Sequence, residues 1–453
     1  MKKKTAPKGK VELNPQFKRA YELMENSHKH LFITGRAGTG KSTLLTYFRE
    51  HTKKEIVVLA PTGVAAVNIK GQTIHSFFGF KPDVTLQKIR KQSTSAEESI
   101  YKKLDAIVID EISMVRADLL DCIDKFMRLN GKNKNRPFGG AQMIFIGDLY
   151  QLPPVLTSED KHPFLQKYTS PYFFASHVFS QQQTLLSDAG EFALEFVELE
   201  KIYRQKDAEF IHILNAIRDN TVTEKQIAVI NAQYDSTYEP EQEDFEIYLT
   251  TTNDMAARIN EKELAKLGET VWTFRGTRSG KFEQKLLPTD DALEVKVGSQ
   301  IMLLNNDRQG RWINGTIGKI EGIAKDNGMT LVWVELADGT VELVAPHTWD
   351  MYEYTYDKQK GHIETDVIGS FTQYPFKLAW AVTIHKAQGK TFDNVILDIG
   401  RGTFAPGQLY VALSRCTRLE GIVLATQISK RNVWTDMDVV KFVTRFQDTK
   451  TQK

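Results

Sequence analysis

The 453-residue chain is short of cysteine, of long apolar runs and of net charge. Its two cysteines, Cys122 and Cys416, lie far apart in the sequence, which argues against a disulfide framework or a zinc site and favours a reducing compartment. No apolar run approaches the roughly 20 residues that a membrane span needs, so we expect a cytoplasmic chain with no membrane partner. The net charge of +2 neither requires nor excludes a nucleic-acid partner, because a motor on DNA needs basic groups only inside one groove.

Repeats of short period and low-complexity tracts are also missing. The content of 41% hydrophobic and 26% charged residues is that of globular domains, and the length suggests roughly three of them. Residues 1–10, MKKKTAPKGK, are basic but are not followed by an apolar stretch. We therefore predict a disordered tail there and not a signal peptide.

Apolar strands alternate with helices in the first part of the chain. The strands are predicted at 30–35, 55–61, 106–111 and 141–148, and a helix over 113–129 stops near Gly131. This alternation predicts an α/β domain with a largely parallel sheet.

A second α/β block begins near residue 195. Its first helix has Asp207 as the predicted N-cap, and its apolar face carries Phe210, Ile211, Leu214 and Ile217. After a strand at 246–252 the pattern changes to short β segments, with Asp-Asn-Gly (326–328) and Ala-Asp-Gly (337–339) between some of them. These segments, including 350–356, predict a small antiparallel barrel. The α/β pattern returns at 395–400 and 421–427, so the barrel is predicted to be an insertion.

The segment GRAGTGKS (35–42) matches the phosphate-binding loop pattern between a strand and a helix. Its glycines let backbone N–H groups surround phosphates, Lys41 is expected to reach the β and γ phosphates, and Ser42 to hold Mg²⁺. The alternative is a glycine-rich turn that binds nothing. The predicted nucleotide-binding residues are Gly35, Gly38, Thr39, Gly40, Lys41, Ser42 and Thr43.

The segment DEIS (110–113) ends the third strand. Asp110 is placed to hold Mg²⁺ and Glu111 to activate the attacking water, although acidic residues also favour a helix N-terminus. Together with the phosphate loop, this pair predicts hydrolysis of ATP or GTP. Upstream, Gln16 is a candidate reader of the adenine edge, while a solvated glutamine is the commoner case at such a position.

An ordered series of motifs extends well beyond the nucleotide site. It consists of APTGVAA (60–66), TIHSFFG (73–79), DEIS, GDLYQLPPV (147–155), EKIYRQKDAEF (200–210), TIHKAQGKTF (383–392) and YVALSRCTRLEGI (410–422). The series resembles superfamily-one helicases of the RecD-like branch, and within it the petite-integration-frequency family of DNA helicases. The resemblance covers Leu13 to about Ala425.

The resemblance implies roles for residues outside the nucleotide motifs. Gln151 matches a motif-three glutamine between the γ-phosphate and the DNA, and the prolines after it stiffen that corner. Arg204 and Arg415 match the arginine fingers of motifs four and six, and surface salt bridges are the alternative for both. Gln388 and Gly389 match the motif-five loop that faces nucleotide and DNA. Lys41, Glu111, Gln151, Arg204 and Arg415 are thus the predicted catalytic residues, with ATP and Mg²⁺ as cofactors.

DNA contacts are also expected from the resemblance. The candidates are Thr62, Gly63, His75, Phe77, Thr251, His385 and Lys386, with core packing as the alternative for Phe77. Residues 80–104 match the wedge that splits the duplex, with a mobile solvated loop as the alternative. The insertion resembles a Src-homology-three-like subdomain whose Lys296, Arg311 and Trp312 are candidates for the DNA channel.

The fold class implied is α/β, with two tandem RecA-like P-loop domains, the wedge inserted in the first and the barrel in the second. The expected domains are a tail (1–10), a first RecA-like domain (11–192), a second (193–268 and 370–453) and the barrel (269–369).

The resemblance predicts an ATP-dependent helicase that moves five-prime to three-prime on single-stranded DNA and unwinds duplex, with G-quadruplexes or RNA–DNA hybrids as further substrates. Single-stranded DNA and junctions are the expected partners of a monomeric, minimal bacterial-type, nucleoid-associated protein. An RNA helicase, an ATP-switched binding module and a P-loop kinase are the rival functions. Nothing in the motifs reads a 2′-OH, Glu111 argues against a mere switch, and the second arginine-bearing domain argues against a kinase.

Overall fold

A computed structural model of the chain describes residues 14–93, 99–180, 194–205, 207–240, 245–357 and 359–451. The predicted tail, residues 1–10, lies outside the described residues. Two compact units are present. The first unit consists of the described residues of Glu12–Tyr203, Asp350–Gly369 and Asp436–Lys453, and the second unit of those of Arg204–Trp349 and Ser370–Thr435.

The strands and helices are numbered in chain order. The strands are β1 (His30–Gly35), β2 (Ile56–Ala60), β3 (Gln72–Thr73), β4 (Ala106–Ile109), β5 (Gln142–Ile146), β6 (Leu194–Leu199), β7 (Ile247–Thr250), β8 (Trp272–Arg275), β9 (Thr277–Gly280), β10 (Ala292–Val295), β11 (Gln300–Leu303), β12 (Ile317–Asp326), β13 (Met329–Leu336), β14 (Val341–Val344), β15 (His347–Asp357), β16 (His362–Gln373), β17 (Phe376–Leu378), β18 (Ala381–Thr383), β19 (Val395–Asp398) and β20 (Ile422–Leu424). The helices are α1 (Pro15–Asn26), α2 (Lys41–His51), α3 (Gly63–Asn68), α4 (Ile74–Phe78), α5 (Ala117–Asn130), α6 (Ser158–Leu165), α7 (His177–Ser180), α8 (Ala208–Arg218), α9 (Glu224–Asn231), α10 (Asn253–Lys266), α11 (Gln408–Leu413) and α12 (Met437–Thr451). Within the described ranges, none of these helices combines the length and apolar character needed to cross a bilayer.

The first unit is built on a six-stranded parallel sheet in the order β3-β2-β4-β5-β1-β6. Its central strands are fully buried, which matches their continuous apolar sequences. The predicted helix end at Gly131 is confirmed, because the Gly131 N–H caps α5 by donating to Met127 O (2.7 Å). The helix begins later than predicted, at Ala117, because residues Ile112–Met114 form a separate 3₁₀ turn.

The second unit contains a four-stranded parallel sheet in the order β18-β7-β19-β20. Asp207 caps α8 as predicted, since its side chain accepts from the N–H groups of Glu209 and Phe210. The predicted α/β architecture with parallel sheets is therefore present in both units.

The insertion in the second unit has a five-stranded antiparallel sheet, β14-β13-β12-β11-β17, and a two-stranded one, β10-β8. Asn327 (φ 47°) and Gly328 (φ 79°) form the predicted tight turn between β12 and β13. The predicted strand at 350–356 is not part of this sheet. It belongs to β15, which lies in a separate sheet in the order β15-β16-β9.

The expected domain boundaries differ from the compact units in three places. Strand β6, expected in the second RecA-like domain, pairs with β1 from His30↔Leu194 to Gly35↔Leu199. The hairpin segment 350–369 belongs to the first unit, where the Val58 N–H donates to the Tyr354 hydroxyl (3.0 Å). Helix α12 also belongs there, and its Phe442 ring stacks on Phe174 at 4.3 Å. Local sequence patterns predict elements but not which sheet an edge element joins.

Candidate nucleotide and nucleic-acid sites

The phosphate loop joins β1 to α2 in the first unit. Gly40 is the N-cap of α2 in the left-handed region (φ 88°), a conformation that favours glycine, and no side chain caps this helix end. Its first N–H groups are therefore available to an anion. The Lys41 ammonium donates to the carbonyls of Gly35 (2.6 Å) and Arg36 (3.1 Å), so it lies against its own loop.

The other loop residues have different environments. Thr39 is buried and its hydroxyl donates to Arg36 O (2.9 Å), so this side chain stabilises the loop from within. Ser42 and Thr43 are exposed in the first turn of α2. Gly38 adopts a positive φ of 80° and accepts through its carbonyl from the Tyr203 N–H (2.9 Å).

Asp110 and Glu111 follow β4. Burial raises the pKa of Asp110, and a backbone hydrogen bond from Glu111 and the nearby Lys41 charge oppose that shift. Glu111 has left-handed backbone angles (φ 51°, ψ 44°), an uncommon conformation for glutamate that costs of order 1–3 kcal/mol. Such backbone strain clusters at functional sites, which supports a chemical role for this pair.

A magnesium ion fits the donors at this site. The Ser42 hydroxyl and the Asp110 carboxylate are hard oxygen ligands, and Mg²⁺ usually takes one or two protein ligands together with substrate phosphates. A cation would also compensate for the burial that raises the pKa of Asp110. Across the described residues, no group of three or more His, Cys, Asp or Glu side chains forms an all-protein metal site. When bound, Mg²⁺ would neutralise charge on the β and γ phosphate oxygens.

Gln151 lies at the corner that follows β5 and is only 7% exposed. Its side-chain amide donates to Asp148 Oδ2 (3.2 Å), while the Tyr150 N–H donates to Asp148 Oδ1 (3.2 Å). A Cβ on Gly147 would lie 3.1 Å from the Ile112 nitrogen, so this corner packs directly against the segment that follows Glu111. The structure thus places Gln151 at a buried corner whose Gly147 packs against the residue that follows Glu111.

Gln16 does not stand free at the start of α1, because its amide donates to Glu200 Oε2 (3.1 Å). Its neighbour Asn14 caps α1 and donates to the Tyr203 hydroxyl (3.2 Å). The Tyr203 side chain is 45% exposed, and its ring lies 4.0 Å from the point where a Cβ on Gly40 would be. Tyr203 is therefore a candidate for stacking a base. Sequence reasoning passed over it, although an aromatic residue directly before Arg204 was a usable signal.

Arg204 and Arg415 come together in the second unit around the segment 388–390. Arg204 donates to Ser414 O (3.3 Å) and Gly389 O (3.4 Å). Arg415, 1% exposed, donates to Val411 O (2.8 Å), Lys390 O (3.3 Å) and the Ser414 hydroxyl (2.9 Å). We call these two arginines with residues 388–390 the arginine cluster. Burial lowers the pKa of Arg204 because desolvation disfavours its charged form, and the nearby Tyr410 opposes that shift.

Both predicted residues of the 388–390 segment lie in the arginine cluster. Gln388 is half-buried, and Gly389 adopts φ 81° with its carbonyl accepting from Arg204. Gln205 also stabilises the arginine cluster, because its side-chain amide donates to the carbonyls of Ser414 (3.1 Å) and Cys416 (3.2 Å). Within the described residues, the hydrogen-bond acceptors of Arg204 are backbone carbonyls.

The predicted DNA residues of the first unit fall into two groups. Thr62 is exposed at the N-cap of α3, where Gly63 begins the helix, and His75 is half-buried in α4. Phe77, in contrast, is 6% exposed and packs edge-on against Phe78 and other rings. The structure therefore places the Phe77 ring in the core and not on the surface as expected.

The predicted DNA residues of the second unit also divide into exposed and buried side chains. Lys386 is exposed, while His385 is half-buried with its ring stacked on Phe404 (13° between planes), and burial lowers the pKa of His385. Thr251 is 5% exposed and donates to the Met255 sulfur (3.6 Å), so its hydroxyl is not available as expected. Phe404, 58% exposed, is a surface aromatic that the sequence did not single out from its loop.

The expected channel residues of the insertion have internal partners. Arg311 pairs with Asp307 (2.8 Å) and Glu342 (3.1 Å), and its guanidinium covers the Trp312 ring. Trp312 is 5% exposed, and Lys296 donates to Leu267 O (2.6 Å). These contacts correct the expectation that the three side chains line a channel.

The described part of the segment 80–104 is anchored to the first unit. Lys125 on α5 donates to Leu86 O (2.7 Å), the Gln92 N–H donates to Asn130 (2.8 Å), and Tyr101 donates to Phe77 O (2.9 Å). The alternative of a mobile solvated loop therefore does not describe this part.

Comparisons with known proteins agree with this geometry. Residues 12–228 match the family model of PIF1-like helicases, and residues 378–423 match the UvrD-like helicase C-terminal domain. The chain is 30% identical to the ATP-dependent DNA helicase Pif1 of Bdellovibrio bacteriovorus, over 97% of this chain and 94% of that protein.

Two solved structures extend the likeness to the fold. Bacteroides sp Pif1 in complex with ADP-AlF4 is 34% identical with a TM-score of 0.86, over 97% of this chain and 98% of that one. Bacteroides Pif1 bound to ssDNA is 34% identical with a TM-score of 0.67, over the same shares of the two chains. The predicted fold of tandem RecA-like domains is thereby confirmed.

Proposed function

We infer that this chain, which belongs to the PIF1-like helicase family and is an ATP-hydrolysing DNA helicase, translocates five-prime to three-prime on single-stranded DNA and unwinds the duplex ahead of it. The direction is what the resemblance of the ordered motif series to the RecD-like branch implies. Acting on DNA in a bacterial cell, the protein would be associated with the nucleoid.

We propose specific roles for the nucleotide residues. Lys41 binds the β and γ phosphates, Ser42 and Asp110 hold Mg²⁺, and Glu111 accepts the proton of the attacking water. Arg204 and Arg415 stabilise charge on the transferring phosphoryl group. Lys41, Arg204 and Arg415 are each held by backbone carbonyls of their own unit, which supports catalysis by preorganised charge.

One observation carries the proposed coupling between ATP and DNA. The chain from His385 to Lys390 bears the exposed Lys386 at one end, and its carbonyls at Gly389 and Lys390 bind the two arginines at the other. A strand phosphate bound near Lys386 and a nucleotide phosphate bound by the arginines would therefore shift the same short segment. This shared segment is the physical basis for DNA-stimulated hydrolysis.

The substrate range follows from translocation on one strand. A motor that moves along single-stranded DNA displaces whatever is paired with it, so the proposal extends to RNA–DNA hybrids and G-quadruplexes. The segment 80–104, whose described part is anchored on α5, is proposed as the wedge, and the protein is proposed to be monomeric when free.

A tailed-duplex assay tests the proposal. ATP hydrolysis is measured with and without single-stranded DNA, and unwinding is measured on duplexes that carry a five-prime or a three-prime tail. We expect strong stimulation by DNA and unwinding only with the five-prime tail. Unwinding from the three-prime tail alone would overturn the direction, and ATPase stimulated by RNA but not DNA would overturn the substrate.

A further inference from the structure

The edge of the parallel sheet in the first unit is completed by a side chain from the hairpin segment 350–369. Strand β3 has only two residues, and its pairing with β2 starts at Leu59↔Gln72. One residue earlier, the Val58 N–H donates to the Tyr354 hydroxyl (3.0 Å), and that hydroxyl donates to Val58 O (3.4 Å). Tyr354 therefore supplies a hydrogen-bond partner to β2 before the point where β3 starts.

The Tyr354 hydroxyl is buried and keeps its proton. Tyr354 is 8% exposed, and burial raises its pKa, although the Arg49 charge and the hydrogen bond with Val58 oppose that shift. A buried backbone group that loses its partner retains the full cost of leaving water. The hydrogen bonds to Val58 therefore fix this part of β2.

Tyr354 also contacts β3 and α4. Its backbone N–H donates to Gln72 Oε1 (3.1 Å), and the Gln72 amide donates to the Ser76 hydroxyl (3.4 Å). Its ring packs edge-on against Phe77, with 5.9 Å between the centroids. Ser76 and Phe77 directly follow His75, a predicted DNA residue. The same tyrosine therefore joins the edge of β2 to the helix that carries His75.

Strands β2 and β3 lead directly into the predicted DNA loops of the first unit. Strand β2 ends at Ala60, and two residues later the Thr62 side chain caps α3. Strand β3 ends at Thr73, whose side chain caps α4 by accepting from the Ser76 N–H (3.1 Å). Because each cap lies within two residues of its strand, a shift of either strand would also move its loop.

Two further contacts fasten the hairpin segment 350–369 to the first unit. The Ile363 N–H donates to Glu55 Oε2 (2.6 Å), and Glu55 directly precedes β2. The Lys103 ammonium lies over the Tyr356 ring, 4.9 Å from its centroid. The hairpin segment is thus held at several points, which gives Tyr354 a fixed position.

We propose that Tyr354 is a positioning residue for single-strand binding, because it fixes the strand edge and the helix start from which Thr62 and His75 project. Tyr354 is itself buried, so it would act through these loops and not by touching the strand. A loop whose geometry is set before binding loses less entropy on binding, and its affinity is higher. This inference rests on the proposed function, because it assumes that Thr62 and His75 contact the strand.

Tyr354→Phe tests the proposal, because it removes the hydroxyl and keeps the ring that packs on Phe77. Tyr356→Phe is the matched control on the same strand, since the Lys103 contact needs only the ring. ATP hydrolysis is measured against the concentration of an oligo-dT strand, and affinity for a non-hydrolysable ATP analogue is measured alongside. For Tyr354→Phe we expect the half-saturating strand concentration to rise about fivefold or more. The basal rate, the maximal stimulated rate and the analogue affinity should be kept, and the control should match wild type.

Thermal unfolding separates positioning from a purely structural role. A structural role alone would lower the melting temperature but leave the half-saturating strand concentration unchanged well below that temperature, and this result would overturn the proposal. An equal rise in Tyr356→Phe would overturn it too, as would a loss of analogue affinity with unchanged half-saturation.

Glu55→Ala tests the same proposal without altering the tyrosine. It removes the acceptor of the Ile363 N–H and so loosens the second strand of the hairpin segment. We expect a smaller rise in the half-saturating strand concentration than for Tyr354→Phe. If Tyr354→Phe does not fold, wild-type half-saturation in Glu55→Ala would overturn the proposal.

The proposed function and this inference fail in different ways. Unwinding from a three-prime tail overturns the direction but leaves the half-saturation result standing. Wild-type half-saturation in folded Tyr354→Phe overturns only the positioning role. A wild type without measurable affinity for single-stranded DNA overturns both.

Discussion

The phosphate loop of the first unit and the arginine cluster of the second hold their cations in the same way but are assembled differently. Lys41 donates to the carbonyls of Gly35 and Arg36 within one continuous loop. The arginines donate to carbonyls at 389–390, 411 and 414, so three chain segments must meet to form their cluster. A carbonyl orients a cation without cancelling its charge. This difference fits the proposal that the first region binds phosphates and that the second responds to what other segments bind.

The largest effect is expected in the first region. Lys41→Ala should remove ATP hydrolysis and unwinding, because the ammonium proposed to bind the phosphates is lost. Glu111→Gln should bind ATP normally and lose turnover by about 10²–10⁴-fold, because only the proposed proton acceptor is removed. Nucleotide affinity by fluorescence and turnover by phosphate release measure the two changes. Near-wild-type hydrolysis by Glu111→Gln would show that another group is the base.

The arginine cluster should respond almost as strongly. Arg204→Ala and Arg415→Ala are each expected to reduce kcat by about a thousandfold with smaller changes in ATP affinity, as losses of arginine fingers do. Arg418→Ala, at an exposed arginine three residues after Arg415, is the control. Because Arg415 is buried, Arg415→Lys and a melting curve accompany it. A lower melting temperature with normal kcat would identify the arginines as structural.

The sequence predicted features that are set by neighbouring residues far better than contacts between distant segments. The phosphate loop, the cap at Asp207 and the turn at Asn327 are decided by residues a few positions apart. Strand β6, the segment 350–369 and α12 were assigned to other domains because sheet pairing and helix docking depend on distant residues. The burial of Phe77 has the same cause, since rings from remote segments surround it.

Gln151 should show an intermediate effect. Gln151→Ala removes the amide that donates to Asp148 while the phosphate loop stays intact, so ATP affinity should be largely kept. We expect the coupling free energy between nucleotide and strand to fall by about 1–3 kcal/mol. The stimulation of ATPase by single-stranded DNA should therefore fall about 5–150-fold. Base pairs unwound per ATP are measured in the same reaction. Unchanged stimulation would make Gln151 only a corner residue.

The smallest expected effect is a pH dependence of strand binding. Burial and the nearby Lys377 charge lower the pKa of Lys390 to about 7, so Lys390 is charged below pH 7 and loses its charge as pH rises through that value. A bound phosphate favours the charged form, so strand affinity should fall by a few-fold to about tenfold between pH 7 and 8.5. Oligo-dT titrations of wild type and Lys390→Met measure this fall. The same fall in both proteins would exclude Lys390 as its source.

The central claim is that nucleotide binding and strand binding are coupled, and reciprocity gives its most direct measurement. The affinity of wild type for single-stranded DNA is measured with and without a non-hydrolysable ATP analogue, and the affinity for the analogue is measured with and without the strand. We expect the two ratios to be equal and to lie at about 5–150-fold. A strand affinity that the analogue leaves unchanged would contradict the account.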